Sequence, residues 1–400
     1  MYDSTYHDRA RGVFLRSFWV SNKQQIRNTA AVAATLMALA ACSGPGSSTS
    51  DAVQIGLLAN LTGGAAASFG KPFERGFQLA LTEATDKLQE SDISVEVLTE
   101  DSKSEVPSAV TGYNKLRQKN VPLVVNDSQS PLGQAVAPLA NDDKITLLSG
   151  AGSKLENQNG YAFRFTDLAT PTASIGGYLA DKGAKRIGVV VASDNPSFAT
   201  LATSTEAGLN DKFASRQEVS SQDSDFSAVL ANLRRDQVDA VVLSVLPAQA
   251  GNLILQMNQS GGFDKVMLVG TVAISGETYT VAKDAAQGFE FPQVWAPGGS
   301  AGSPFEKKYT EEYGEVPTAY GALGYQVGWI TVAAIIEAAQ NQAIDGTTVR
   351  DALPGASTSD LVREHGILDL ELTQDGTAVS RGVMATFAPG GTMVIAGSAG

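Results

Sequence analysis

Gln54-Ile-Gly-Leu-Leu-Ala59, a glycine-rich loop, and then Phe73, Phe77, Ala80, Leu81, Ala84 and Leu88 decide the fold. An apolar run bounded by turn residues reads as a buried strand, and apolar residues at steps of three and four read as one face of a helix. The couplet returns. Strand Ile93–Leu98, helix Ser108–Gln118, strand Pro122–Val125, helix Leu132–Ala140 and strand Ile145–Leu148 complete a first series. A second opens at Arg186-Ile-Gly-Val-Val-Val-Ala192 and continues through helix Ala199–Leu209, helix Phe226–Arg234, strand Ala240–Val245, helix Ala248–Gln259 and strand Lys265–Val269. Repeated β-α units of this length predict parallel sheets covered by helices on both faces. Two series separated by Asp167–Pro171 predict two doubly wound α/β bodies in tandem. Beyond them the sequence predicts a long apolar helix, Tyr325–Gln340, and short strands near Ile367–Leu372, Val383–Phe387 and Met393–Ile395.

Composition narrows the function classes. The 400 residues are 18% charged and 43% hydrophobic, with 40 Gly and 15 Pro, which is globular composition and enough chain for about two domains. Lys and Arg number 29 against 42 Asp and Glu, a net charge of −13, the opposite of what a nucleic-acid binder needs. One cysteine and two histidines exclude a disulfide framework, a thiolate zinc site and a multi-histidine metal cluster. No metal and no cofactor are expected.

The first 41 residues read as a targeting segment. Lys23 and Arg27 precede Thr29-Ala-Ala-Val-Ala-Ala-Thr-Leu-Met-Ala-Leu-Ala-Ala41, an apolar run of 13 residues, and then Cys42. A basic flank, a short apolar run and small residues describe a secretory signal, too short for a permanent span of ~30 Å. Leu39-Ala-Ala-Cys42 resembles the bacterial lipobox, which implies a lipid anchor on Cys42. Met1–Trp19 is long and mixed for a signal's leading part, so the expected true start lies downstream, near Val20. Without residues 1–41 the chain carries 24 basic and 40 acidic residues, and His365 is its single histidine. Residues 42–51, rich in Ser and Gly, read as a flexible tether. The expected product is exported and held at the outer face of the cell membrane.

Sheets of this kind bind ligands beyond the carboxyl ends of their strands. In the first series those ends carry Asn60–Gly70, Asn126–Ser130 and Ser149–Ser153, loops of Gly, Ser and Thr that present amides and hydroxyls at helix starts. They suit a carboxylate, amide or hydroxyl. Ser130 before Pro131 can equally be a plain helix cap.

Several stretches then share an order: Ile55…Leu61-Thr-Gly63, Gly70…Gly76-Phe-Gln-Leu-Ala80, Ser130 with Ala135–Leu139, Leu148-Ser-Gly-Ala-Gly-Ser153, Tyr313-Gly…Pro317…Tyr325, and the strand–turn–strand ending. Across residues 52–396 the chain resembles the type I periplasmic solute-binding proteins, closest to the branched-chain amino acid and amide binding group that feeds ABC importers. The resemblance implies two lobes joined by three crossovers that close on ligand: residues 52–168 with 297–365, and residues 169–296 with 366–400. It implies a small-molecule ligand, an ABC permease as membrane partner and a monomer. It places the ligand carboxylate at Ser130, Ala151 and Ser153, with Phe69 as an aromatic shield. The second lobe would offer Ser197, Phe198, Leu246 and Val272 in the Gly270–Ala273 loop. No Asp or Glu falls at the family's amine-receiving position. A buried ammonium needs a paired anion, so ordinary α-amino acids are expected to bind poorly unless Asp194 or Glu277 reaches in.

Other readings stand beside this one. A ligand-sensing receptor for a membrane signalling protein would use the same closure. Gly64…Gly70-Lys71 is one residue too long for a phosphate loop and has Pro72 where a hydroxyl belongs. Gly150-Ala-Gly152 lacks the third glycine of a dinucleotide fingerprint. Gly298-Gly-Ser300-Ala-Gly302, with Asp360 and His365 downstream, fits a hydrolase elbow, but Pro297 and Pro304 make it a loose connector.

Overall fold

Val53–Ala59 (β1), Val95–Asp101 (β2), Leu123–Asn126 (β3), Thr146–Ser149 (β4) and Ala162–Arg164 (β5) form a parallel sheet ordered β2-β1-β3-β4-β5. The computed structural model describes residues 52–396 apart from 128, 167–168, 299–302 and 342; the expected signal, Cys42, the tether and Ser300 lie outside the described residues. β1, β3 and β4 are apolar and almost wholly buried, as strands covered on both faces must be.

A second sheet holds Ile187–Ala192 (β6), Phe213–Val219 (β7), Ala240–Ser244 (β8), Met267–Gly270 (β9) and Glu290–Gln293 (β10). After a two-stranded ribbon, Leu370–Leu372 (β11) with Ala378–Ser380 (β12), the chain adds Val383–Phe387 (β13) and Met393–Ile395 (β14) antiparallel at its edge. The order is β14-β13-β10-β9-β8-β6-β7. The chain passes between the sheets three times: after β5, after β10, and between β12 and β13. This is the α/β architecture expected, a parallel sheet and a second, mainly parallel one on separate hydrophobic cores.

One boundary differs. Residues 366–400 were expected to side with the second body as a block, yet Leu370, Leu372 and Ala378 are buried in the first core. The turn after β11 is tied to β5, where the Arg164 amide donates to the Gly376 carbonyl at 2.8 Å. The expected helix over Phe73–Leu88 is two helices, Lys71–Glu83 and Thr85–Glu90, broken at Ala84. β5, β7 and β10 have no counterpart in the sequence reading. β7 is a polar edge strand in which Arg216 pairs with Glu206 and Glu218, and β10 is four residues long with Pro292 inside it.

The late apolar helix begins earlier than expected and covers Ala319–Gln340. It is long and apolar enough to cross a bilayer, but it is the central helix of the first core and almost wholly buried. Glycines set how closely it packs on Lys71–Glu83. A Cβ on Gly76 would lie 1.9 Å from the Gly321 carbonyl oxygen, and one on Gly324 would lie 2.0 Å from that of Phe73. Backbone cannot retreat as a flexible side chain can, so Gly76→Ala is expected to destabilise the protein by about 3 kcal/mol or more. Gly177→Ala, in a helix where nothing lies within 4 Å, is expected to stabilise it by up to ~1 kcal/mol. Urea unfolding midpoints of the two variants test this contrast.

Candidate functional site

In the order β2-β1-β3 the connections after β1 and β3 leave on opposite faces of the sheet, opening a crevice between their carboxyl ends. Each side of that crevice is shaped by local sequence. After β1 the chain makes one wide π turn, Ala66–Gly70, which runs straight into the helix from Lys71. The turn presents Phe69, whose ring meets Tyr320 edge to face at 4.5 Å. A Cβ on Gly70 would come within 2.0 Å of the Asn60 carbonyl oxygen, so this glycine serves close backbone packing. After β3, Gln129 has φ +133°, a strained value for any residue but glycine, immediately before the helix Ser130–Asp143.

Buried polar side chains lock these loops together. Asp127, fully buried, accepts the Asn60 amide at 2.9 Å and the Asn60 Nδ2 at 2.7 Å on its two oxygens. Ser102 Oγ donates to Asn60 Oδ1 at 2.7 Å. One strand over, Ser149 Oγ donates to Asn126 Oδ1 at 3.0 Å, and Asn126 Nδ2 donates to the Leu58 carbonyl at 3.1 Å. Asp101 holds the outer loop, receiving Leu61 N–H, Thr62 N–H, Thr62 Oγ and Lys103 N–H. Burial by itself raises the Asp101 pKa; those hydrogen bonds outweigh it and leave the carboxyl below its ordinary value.

Between the sheets lies a cavity of about 250 Å³. Phe69, Gln129, Ser130, Gly150, Gly152 and Thr166 line it from the loops of the first sheet, and Ala319, Tyr320 and Leu323 from the start of the central helix. Val272, Gln293 and Val294 close it from the second sheet and the second crossover. No lining residue carries a charge. Clefts of about 470 and 540 Å³ lie beside Arg164 and Asp375, and beside Gln54 and Glu96. Neither touches the second sheet. Tyr320 has its hydroxyl pKa pushed up to about 12, by burial first and then by the Asp127 charge, so at neutral pH it is a hydrogen-bond donor.

A family model for periplasmic binding proteins matches residues 52–392. The chain belongs to that family. Its members bind solutes and are not enzymes. A Leu/Ile/Val-binding protein homolog of Brucella abortus is 24% identical over 243 residues; the match spans 59% of this chain and 65% of that relative. The branched-chain amino acid transporter substrate-binding protein of Streptococcus pneumoniae, in complex with isoleucine, superposes with a TM-score of 0.65 at 23% identity. That superposition covers 86% of this chain and 99% of the other. A solute-binding protein of R. palustris in complex with benzoate gives 0.62 at 18% identity, over 87% of this chain and 96% of the other.

In this periplasmic binding protein, Phe69, Ser130 and Val272 come together at the cavity as expected residues. Ser153 joins them indirectly, its amide donating to Ser130 Oγ at 3.0 Å, so Ser130 is not capping its own helix. The Ala151 amide points to Ser149 Oγ at 3.3 Å, away from the lining. Ser197, Phe198 and Leu246 do not line the cavity. The Ser197 amide donates to Asn195 Oδ1, Phe198 is buried in the second core, and Leu246 packs against that core at the cap of Pro247–Ser260. Asp194 is engaged by Ser220 and Ser221, whose hydrogen bonds lower its pKa, and neither it nor Glu277 reaches the cavity. His365 stacks on Trp329 at 4.2 Å in the first core, and Asp360 is exposed on the same six-residue helix. The sequence reading missed Gln129, Thr166, Gln293 and Tyr320. Gln129 lies within the loop Asn126–Ser130 and Thr166 directly precedes the separating segment Asp167–Pro171, whereas nothing local marks Tyr320 or Gln293.

Asp101 titrates lower folded than unfolded, so its contribution to stability is complete above the unfolded value of ~3.9 and is lost as pH falls through the folded one. Asp101→Asn is therefore expected to flatten the dependence of stability on pH between about 5 and 3. Urea midpoints of wild type and variant across that range are the measurement; parallel curves would show that the loop does not depend on this carboxylate.

Proposed function

We propose that this protein captures a small carboxylate- or amide-bearing solute with an uncharged, apolar remainder between its two bodies and delivers it to an ABC importer. The observation that carries the reading is the cavity lining: hydroxyls, amide side chains and a glycine loop on one wall, Phe69 and Tyr320 on another, and no ionised side chain. Ser130 stands at the amino terminus of a 14-residue helix, where the dipole and unpaired amides favour an anion. Ser130 Oγ accepts from Ser153 and keeps its own proton to donate. A ligand ammonium would find no carboxylate in the lining, and an unpaired charge in such a cavity costs several kcal/mol.

The two ligands seen in the structural neighbours, isoleucine and benzoate, bracket the choice between a zwitterion and a plain carboxylate. The lining favours the second. The lobes are residues 52–168 with 297–365, and 169–296 with 366–400 less the β11–β12 ribbon. Their closure about the crossovers would bring the start of the helix Pro196–Leu209, with Ser197, and the loop at Leu246 toward a ligand already held by Phe69, Ser130, Val272 and the Gly150–Ser153 loop. The tether and a lipid on Cys42 would hold a monomeric body beside the permease.

A thermal-shift and calorimetric comparison of 4-methyl-2-oxopentanoate, benzoate and leucine tests the reading. A ligand at 100 times its Kd adds about 2.7 kcal/mol. The oxo acid or benzoate is expected to raise the melting temperature and to bind at least tenfold more tightly than leucine. Leucine binding tightest sinks the proposal.

A further inference from the structure

Gln293 ends β10 where the chain leaves the second sheet for the first, and it is one of the residues lining the cavity. Its Nε2 donates to the Ile274 carbonyl at 3.1 Å, with a longer arm to the Val272 carbonyl at 3.5 Å. Both acceptors are backbone oxygens that cannot donate, so the orientation of the amide is fixed by its partners. With Nε2 committed to the loop, Oε1 is the atom left over. No donor among the described residues reaches it, and Gln293 is only half-buried.

An amide oxygen fixed in a ligand cavity and without a protein donor selects for a donor on the ligand, because a bound group that cannot supply one strips water from it with no replacement. We infer that Gln293 Oε1, turned away from the two carbonyls that Nε2 serves, faces the cavity and is the specificity-determining acceptor of this site, and that the solute class is a carboxylate or amide that also carries a neutral O–H or N–H. This rests on the reading of the cavity given above. A neutral acceptor in place of a carboxylate receives a hydroxyl or amide N–H well, and it leaves an ammonium without the counter-charge it needs. The same side chain positions the loop that carries Val272, so selectivity and the shape of the second wall depend on one residue.

The test compares two probes that differ only in the donor, 2-hydroxy-4-methylpentanoate and 4-methyl-2-oxopentanoate, by calorimetry on the full protein and on Gln293→Met. The wild type is expected to prefer the hydroxy acid by about tenfold, the worth of one well-made hydrogen bond. In the variant that preference is expected to shrink to within twofold, while the affinity for the oxo acid falls much less. A merely structural role for Gln293 would weaken both probes equally and keep their ratio, which overturns the inference. Equal affinities in the wild type overturn it as well and leave the proposed function standing. Failure of both probes to bind the wild type rejects the cavity reading and this inference together.

Discussion

The paired hydrogen bonds between Asn60 and the buried Asp127 carboxylate hold the ligand end of the first sheet together. Burying a carboxylate is unfavourable unless its oxygens are satisfied. Here the main-chain and side-chain N–H groups of Asn60 take one oxygen each, and Ser102 completes the far side of Asn60. The loops after β1, β2 and β3 are thereby fixed relative to one another, and Asn126 with Ser149 extends the arrangement to β4. The first-sheet groups facing the cavity adjoin this network: Phe69 on the π turn, Gln129 and Ser130 at the helix start, Gly150 and Gly152 beyond β4, and Thr166, whose hydroxyl donates to the Gly150 carbonyl at 3.1 Å. A site assembled this way loses little freedom when a ligand arrives, which leaves more of each hydrogen bond as affinity.

The electrostatics work at two ranges. The chain carries 13 more acidic than basic residues, yet the cavity lining carries none of that charge. Surface charges are screened over about 8 Å at physiological salt, so an anionic solute meets a modest repulsion outside and only local dipoles within. Those dipoles are the Ser130 hydroxyl, the helix behind it and the phenol of Tyr320, kept protonated by burial and by the Asp127 charge. Such groups are of the kind that can receive a carboxylate without a cation, as the proposed function requires.

How much of this was legible in the sequence depended on the range of the interaction involved. Strands buried on both faces announce themselves as apolar runs, so β1, β3, β4, β6 and β8 were read to within a residue or two. β7 was invisible because an edge strand whose Arg216 pairs with Glu206 and Glu218 has a polar surface pattern, and β10 because four residues with a proline leave no period to detect. At the site, Phe69 and Ser130 were legible because they follow strands at a switch point, a matter of local order. Tyr320 reaches the cavity from a helix about 250 residues further on than Phe69, through a glycine contact that only the folded pair creates. Gln293 follows no strand–helix signal at all.

The position of the cavity has a mechanical consequence. Its second wall is built from Val272, Gln293 and Val294, next to a crossover, and not from the loops after β6 and β8 at the second sheet's own switch point. In a rotation about the crossovers, groups near the axis move least and groups far from it move most. Gln293 would therefore keep nearly the same relation to the first sheet in open and closed states, whereas Ser197, Phe198 and Leu246 would sweep through the larger arc. In the proposed closure, recognition by the inner wall and commitment by the outer one would be separate events, and only interactions that the outer residues made with the ligand on closing could shift the population toward the closed state. A residue beside the crossover, as Gln293 is, would on that picture decide which solute binds while contributing little to whether the protein closes.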